Sequence, residues 1–156
     1  MNEPIVLYFE SELSTSSDKI WESITSVKSI RKEIQPFFTM TAPQHIKSLG
    51  DIKLALGKPL FRSYVLLLGI IPIDYSDMTL LELEEKLGFV EQSPMKSMKL
   101  WRHERSIKPH HSKPDTVILI DKLIFQPRRA KILVKKFIEV VFTHRHKVLK
   151  KHFNHE

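Results

Sequence analysis

A chain of 156 residues, 42% of them hydrophobic, has the length of one domain and enough apolar material for a sizeable core. It contains no cysteine, which excludes disulfides, thiolate metal sites and a cysteine nucleophile. Its longest dense apolar run, YVLLLGIIPI at 64–73, falls far short of the roughly 20 residues that a membrane-spanning helix needs. The formal charge of +7 is local: residues 128–156 hold nine basic side chains against Glu139 and Glu156, and the rest of the chain is balanced. Such a face is most often a solvated helix back. The acidic N-terminus MNEPIVLYFESE shows no signal-peptide pattern, so the expected setting is cytoplasmic.

In chain order, IVLYFESEL (5–13) alternates apolar and polar residues, the period of a strand. STSSDKIWESITSV then offers a Ser or Thr cap before a short helix with Ile20, Trp21, Ile24 and Val27 at helical spacing. A second short helix over 29–34 is ended by Pro36, and 37–58 reads as loop with at most one short strand. From Pro59 onward the signals are strand-like: PLFRSYVLLLGIIPID, DMTLLELEEK, GFVEQS, SMKLWRHERSI and DTVILIDKLIF. Turn material stands at 74–77, 86–88, 93–96 and in the basic loop KPHHSKPD at 108–115. Strands this close, with no helix between them, predict an antiparallel meander. AKILVKKFIEVVFTHRHKVLKKHF (130–153) runs without Pro or Gly and predicts one helix of about 36 Å at 1.5 Å per residue.

The predicted fold is α+β: a curved antiparallel sheet of about seven strands wrapped around a long C-terminal helix, with two short helices after the first strand, in a single domain over 1–156. A helix laid across a curved sheet leaves space between them, which makes binding of a hydrophobic small molecule the first functional expectation.

Pairing 97–107 with 115–125 about a centre near residue 111 sets Trp101 opposite Asp121, His103 opposite Leu119 and Arg105 opposite Val117. Trp101, His103, Arg105, Asp121, Leu123 and Phe125 then share the inner face, while Arg102, Glu104 and Lys122 face outward. On the terminal helix, Phe137, Val141, Phe142 and Leu149 form an apolar arc that also carries Arg145, with His144 at its edge and His146 beside the opposite Lys-rich arc. An inward arginine needs an anionic partner, and Asp121 is the natural one. The candidate site is therefore Trp101, His103, Arg105, Asp121, Phe137, Val141 and Arg145, with Leu67 or its neighbours from the apolar strand.

Two roles fit the polar members. They can orient the head of an amphipathic ligand or polarise a carbonyl, or they can form a structural ion pair fixing helix to sheet. His103 with Asp121 suits acid/base work, but no nucleophile-elbow serine is present. His144 and His146 diverge on the helix, unlike the i, i+4 spacing of a zinc helix, and no phosphate-cradling glycine motif occurs, so no metal and no cofactor is expected. The helix aromatics belong to the buried side, which argues against nucleic acid and leaves at most a weak peripheral attraction of the basic face to anionic membrane.

DKIWESIT after the first strand, GFVE, W-x-H-x-R at Trp101, His103 and Arg105, the Asp121 strand and F-x-H-R-H-x-x-L from Phe142 to Leu149 together resemble the START-like or SRPBCC superfamily, near small bacterial members related to polyketide cyclase/dehydratase and lipid-transport domains. The resemblance implies a helix-grip fold around a hydrophobic cavity. It also implies a lipid, sterol, polyketide or hormone as ligand, with a cyclase- or dehydratase-like enzyme as the alternative.

Overall fold

A computed structural model describes residues 3–51 and 56–154. Part of the expected loop over 37–58, residues 52–55, lies outside them. The first strand, β1 (Ile5–Leu13), leads into α1 (Ser17–Thr25) and α2 (Val27–Ile34). Serines cap both helices: Ser16 Oγ accepts from the Lys19 N–H and Ser26 Oγ from the Ser29 N–H. A three-residue strand, β2 (Phe38–Met40), is followed by β3 (Phe61–Leu67), β4 (Ile71–Met78), β5 (Leu80–Glu84), β6 (Gly88–Gln92), β7 (Met98–Pro109) and β8 (Val117–Pro127). The chain closes with α3 (Lys131–Asn154).

The strands form two antiparallel sheets, one in the order β1-β8-β7-β6-β5 and one in the order β2-β3-β4. Only Thr79 separates β4 from β5, so the chain turns from one sheet into the other there. The segment after β6 ties them together: Asp77 N–H donates to the Pro94 carbonyl, Lys96 N–H to Tyr75 and Gln92 N–H to Thr79. The result is one curved surface with α3 lying across it, the helix-grip architecture.

Two local expectations are corrected. Residues 74–77 are strand, not turn; the hairpin turns at Leu68–Ile70, where Leu68 and Gly69 take φ of 53° and 80°. Gly69 alone signals that turn in a run whose apolar character reads as continuous strand. The β7–β8 pairing is also displaced. Strand β7 runs on to Pro109, which pairs with Val117, so the hairpin centre moves to residue 113. Trp101 therefore faces Phe125, His103 faces Leu123 and Arg105 faces Asp121. The displacement is even, so the inner face keeps its members. Gly88 pairs with Ser106, next to this row, where a Cβ would lie 2.2 Å from the Arg105 carbonyl oxygen at a φ of 148°. Only glycine lets β6 pass so close.

The buried hydrophobics form two clusters. Leu13, Ile107, Leu119 and Leu149 belong to one, packed under α1, and Ile5, Leu123, Phe125 and Phe142 to the other. Between them, each crossing element carries polar residues: Ser11 on β1, Asp121 on β8, His103 and Arg105 on β7, and Arg145 and His146 on α3, all buried. A polar belt thus crosses the middle of the core.

Candidate functional site

The belt is built around Asp121, which is fully buried. Its Oδ1 accepts from Arg105 Nε at 2.7 Å and lies 2.6 Å from His103 Nε2; Oδ2 accepts from Arg105 Nη2 at 2.9 Å and lies 2.7 Å from His146 Nε2. Burial by itself pushes this carboxyl up, but the Arg105 guanidinium and the His103 and His146 hydrogen bonds outweigh it and hold Asp121 well below the usual carboxylate range. An ionised carboxylate only accepts, so both imidazoles present Nε2–H to it, and all four of its lone-pair directions are used. The other ring nitrogen of His146, Nδ1, is hydrogen-bonded to Ser11 Oγ at 2.6 Å.

A second buried carboxylate completes the belt. Glu33, on α2, receives Arg105 Nη2 at 2.9 Å and Arg145 Nε at 3.1 Å on the same oxygen, Oε1. Burial weakens the hold of Arg105 on its proton, yet Asp121 and Glu33 reverse the effect and raise it above the ordinary arginine value. Arg145 is lowered, by burial first, with Glu33 opposing and the neighbouring Arg105 charge adding to the loss. Arg145 therefore pairs with Glu33, not with Asp121 as its position suggests, because Arg105 and the two histidines already occupy Asp121. It also lies over the Phe142 ring, 4.7 Å from the centroid.

Beside the belt is a cavity of about 300 Å3 between sheet and helix, with mostly apolar walls. Trp101, Phe89, Val65, Phe137, Val141 and Phe142 are among the wall residues. Polar groups enter it at few points: Asp74 and Ser76 from β4, Glu91 from β6, Ser97, His103 and Arg145. Asp74 is held near one edge by the Ser97 N–H and Oγ and by the Tyr75 N–H. Glu91 Oε2 accepts from Ser93 Oγ at 2.7 Å, while Oε1 stands 4.0 Å from His103 Nδ1. The Ser76 hydroxyl, in a residue 1% exposed, has no hydrogen-bond partner among the described residues.

The predicted site residues thus divide. Trp101, His103, Phe137, Val141 and Arg145 line the cavity, whereas Arg105 and Asp121 sit behind His103, sealed from it. Leu67 is half-buried near the hairpin tip and does not line the cavity; Val65, two residues earlier on the same strand, does. His146 is a buried partner of Asp121 and not a companion of the surface lysines, because α3 presses that side onto β1, where Phe9 packs against its ring. Glu33 and Glu91 go unseen from sequence. Each is a single acidic residue in an ordinary helix or strand pattern, and only the unpaired inward Arg145 hints that a further carboxylate is required.

The arrangement is a helix-grip fold of the kind seen in START-like structures. The chain belongs to the family described as Domain of unknown function (DUF8410), whose profile matches residues 11–153. Among solved structures, a START superfamily protein from Mycobacterium smegmatis is similar at 11% identity and a TM-score of 0.65, covering 96% of this chain and 97% of that one. The Zhui aromatase/cyclase from Streptomyces sp. R1128 is similar at 8% identity and 0.67, covering 97% and 94%. Ara h 8.0201 is similar at 7% identity and 0.64, covering 98% and 99%. At these identities the likeness is one of fold. No curated protein sequence matches the chain.

Proposed function

We propose that this single domain, residues 1–156, binds a hydrophobic or amphipathic small molecule between its sheet and α3. The observation that carries the reading is the cavity itself: about 300 Å3 of apolar wall with a few convergent polar groups. Such a volume stands at the small end of ligand pockets. Native mass spectrometry of protein purified from its own host should show a retained organic molecule. Protein that is consistently ligand-free and does not bind Nile red would reject the proposal.

An enzymatic reading has one specific support, the His103 imidazole on the cavity wall, oriented by Asp121 through Nε2 and with Nδ1 4.0 Å from Glu91 Oε1. Asp121 can act only as a positioning residue, because it does not reach the cavity. Cyclase- or dehydratase-type chemistry on a carbonyl compound would use His103 Nδ1 as base. His103→Gln should then abolish turnover of an identified ligand while leaving its affinity within a fewfold, whereas equal losses in both would reduce His103 to a binding group.

Delivery from an anionic membrane surface fits the outside of the molecule, in the cytoplasm. The β3–β4 tip exposes Leu68, Ile70, Ile71 and Ile73 in succession, Ile70 at 77%. Leu68 N–H donates to the Phe37 carbonyl, and Phe37 packs edge-on against Phe137 and His144 of α3. On α3, exposed Ile132, Leu133, Lys136, Val140 and Lys147 fall within one 100° stripe. Ile73 belongs both to the tip and to the cavity wall, so the apolar rim and the cavity are continuous. An apolar edge beside lysines is the composition that partitions weakly to anionic bilayers.

A further inference from the structure

The polar groups on the cavity wall are unequal in kind. His103 Nε2–H is committed to Asp121, which leaves Nδ1 as the ring atom nearest the Glu91 carboxylate, an acceptor in the neutral form of the ring. Facing it at 4.0 Å is Glu91 Oε1, too far for a direct hydrogen bond and supplied with no donor among the described residues, since Ser93 serves the other oxygen. Asp74 adds a second carboxylate to the wall. Against these stands one cation, Arg145, whose Nε donates to Glu33 and whose guanidinium rests on Phe142. The unpartnered Ser76 hydroxyl can donate or accept.

Resting on the cavity reading, we propose that the ligand's polar end is a hydrogen-bond donor, an alcohol or an amine, and that the site disfavours the carboxylate of the same chain. A nitrogen or oxygen placed about 2.8 Å from both His103 Nδ1 and Glu91 Oε1 closes the 4.0 Å gap between them. An ammonium group donates to both at once. A hydroxyl donates to one of them and keeps a lone pair for a second partner such as Ser76. A carboxylate brings only acceptors to acceptors and sets its charge beside Glu91, in surroundings where an unmatched buried charge is expensive. Arg145 offsets this only in part, because its Nε is already held by Glu33 Oε1, an oxygen it shares with Arg105.

The test is displacement of Nile red at pH 8 by 1-decanol, decylamine and decanoate, which share one chain. The alcohol and the amine should displace at concentrations at least tenfold below decanoate. Glu91→Gln, with its fold checked by urea denaturation, should shrink the amine advantage severalfold and improve decanoate. Equal or tighter binding of decanoate overturns the proposal and makes Arg145 the recognition group. Three chains that displace equally well overturn it while leaving the cavity reading intact. If neither Nile red nor any chain binds, the cavity reading fails and takes this proposal with it. A Glu91→Gln protein with unchanged ratios overturns the assignment to Glu91.

Discussion

Two buried carboxylates flank one imidazole and lead opposite lives. Asp121, behind His103, receives four hydrogen bonds from three side chains and is closed to everything else. Glu91, in front of it, receives one from Ser93 and faces the cavity with its other oxygen open. Both belong to the same sheet, on the strands either side of that histidine. What separates them is the company supplied by other elements. Helices α2 and α3 bring Glu33, Arg145 and His146 to the Asp121 side, where charges of both signs are matched, whereas the Glu91 side meets a mostly apolar cavity wall. The Asp121 side is matched in charge and closed around that carboxylate, although Glu33 Oε2 and Arg105 Nη1 have no partner among the described residues; such a network fixes helix on sheet, whereas an open group at a cavity is what a ligand can answer.

Breaking the Asp121 side should give the largest effect. Arg105→Met leaves Asp121 and Glu33 buried without their shared guanidinium, and a loss of about 3–5 kcal/mol is expected by urea denaturation. A loss under about 1 kcal/mol would mean that the belt relaxes around the missing charge. Filling the open side should cost less stability and more function. Val141→Phe projects a larger ring into the cavity, with an expected destabilisation of about 1–3 kcal/mol and at least a tenfold weaker Nile red signal. Retained dye binding would put the dye elsewhere.

Acid tests the Asp121 side by another route. Asp121 has a folded-state pKa held well below its unfolded value of about 3.9, so its contribution is fully present above that value and is lost as pH falls toward the folded one. Stability should therefore drop with acid below about pH 5, and Asp121→Asn, already weakened at neutral pH, should show a flatter profile over the same interval. Parallel profiles for the two proteins would assign the acid sensitivity to other groups.

The parts that sequence made legible are those written in periodicity. Strict alternation along 117–125 and 101–107 identified the inner face, and the Pro- and Gly-free run after Ala130 identified α3. A Ser or Thr cap ahead of α1 and Pro36 after α2 located the two short helices. What escaped has physical causes. The β7–β8 register depended on how far β7 extends into a polar loop, which alternation does not encode, and a four-residue displacement moved Asp121 from Trp101 to Arg105 without altering either face. The Arg145–Glu33 pair joins residues 112 apart in sequence, on elements whose docking no local pattern records. His146 was misplaced because a helix wheel ranks arcs by apolarity, and a histidine buried for its hydrogen bonds looks like its lysine neighbours.

The smallest expected effect on stability tests the outer rim instead of the core. Ile70 is 77% exposed at a turn whose backbone is set by Leu68 and Gly69, so its side chain contributes little to the folded state. Ile70→Glu should stay within about 0.5 kcal/mol of the parent protein in urea. It should also leave Nile red binding in solution unchanged, since Ile70 is not part of the cavity wall. On vesicles containing phosphatidylserine the same substitution removes an apolar side chain from the rim and adds a charge of the lipid's own sign, so partitioning should fall severalfold and fall again with salt. Loss of vesicle binding with intact dye binding would separate collection at a surface from retention in the cavity. Unchanged partitioning would shift any membrane contact from the hairpin to the lysines of α3.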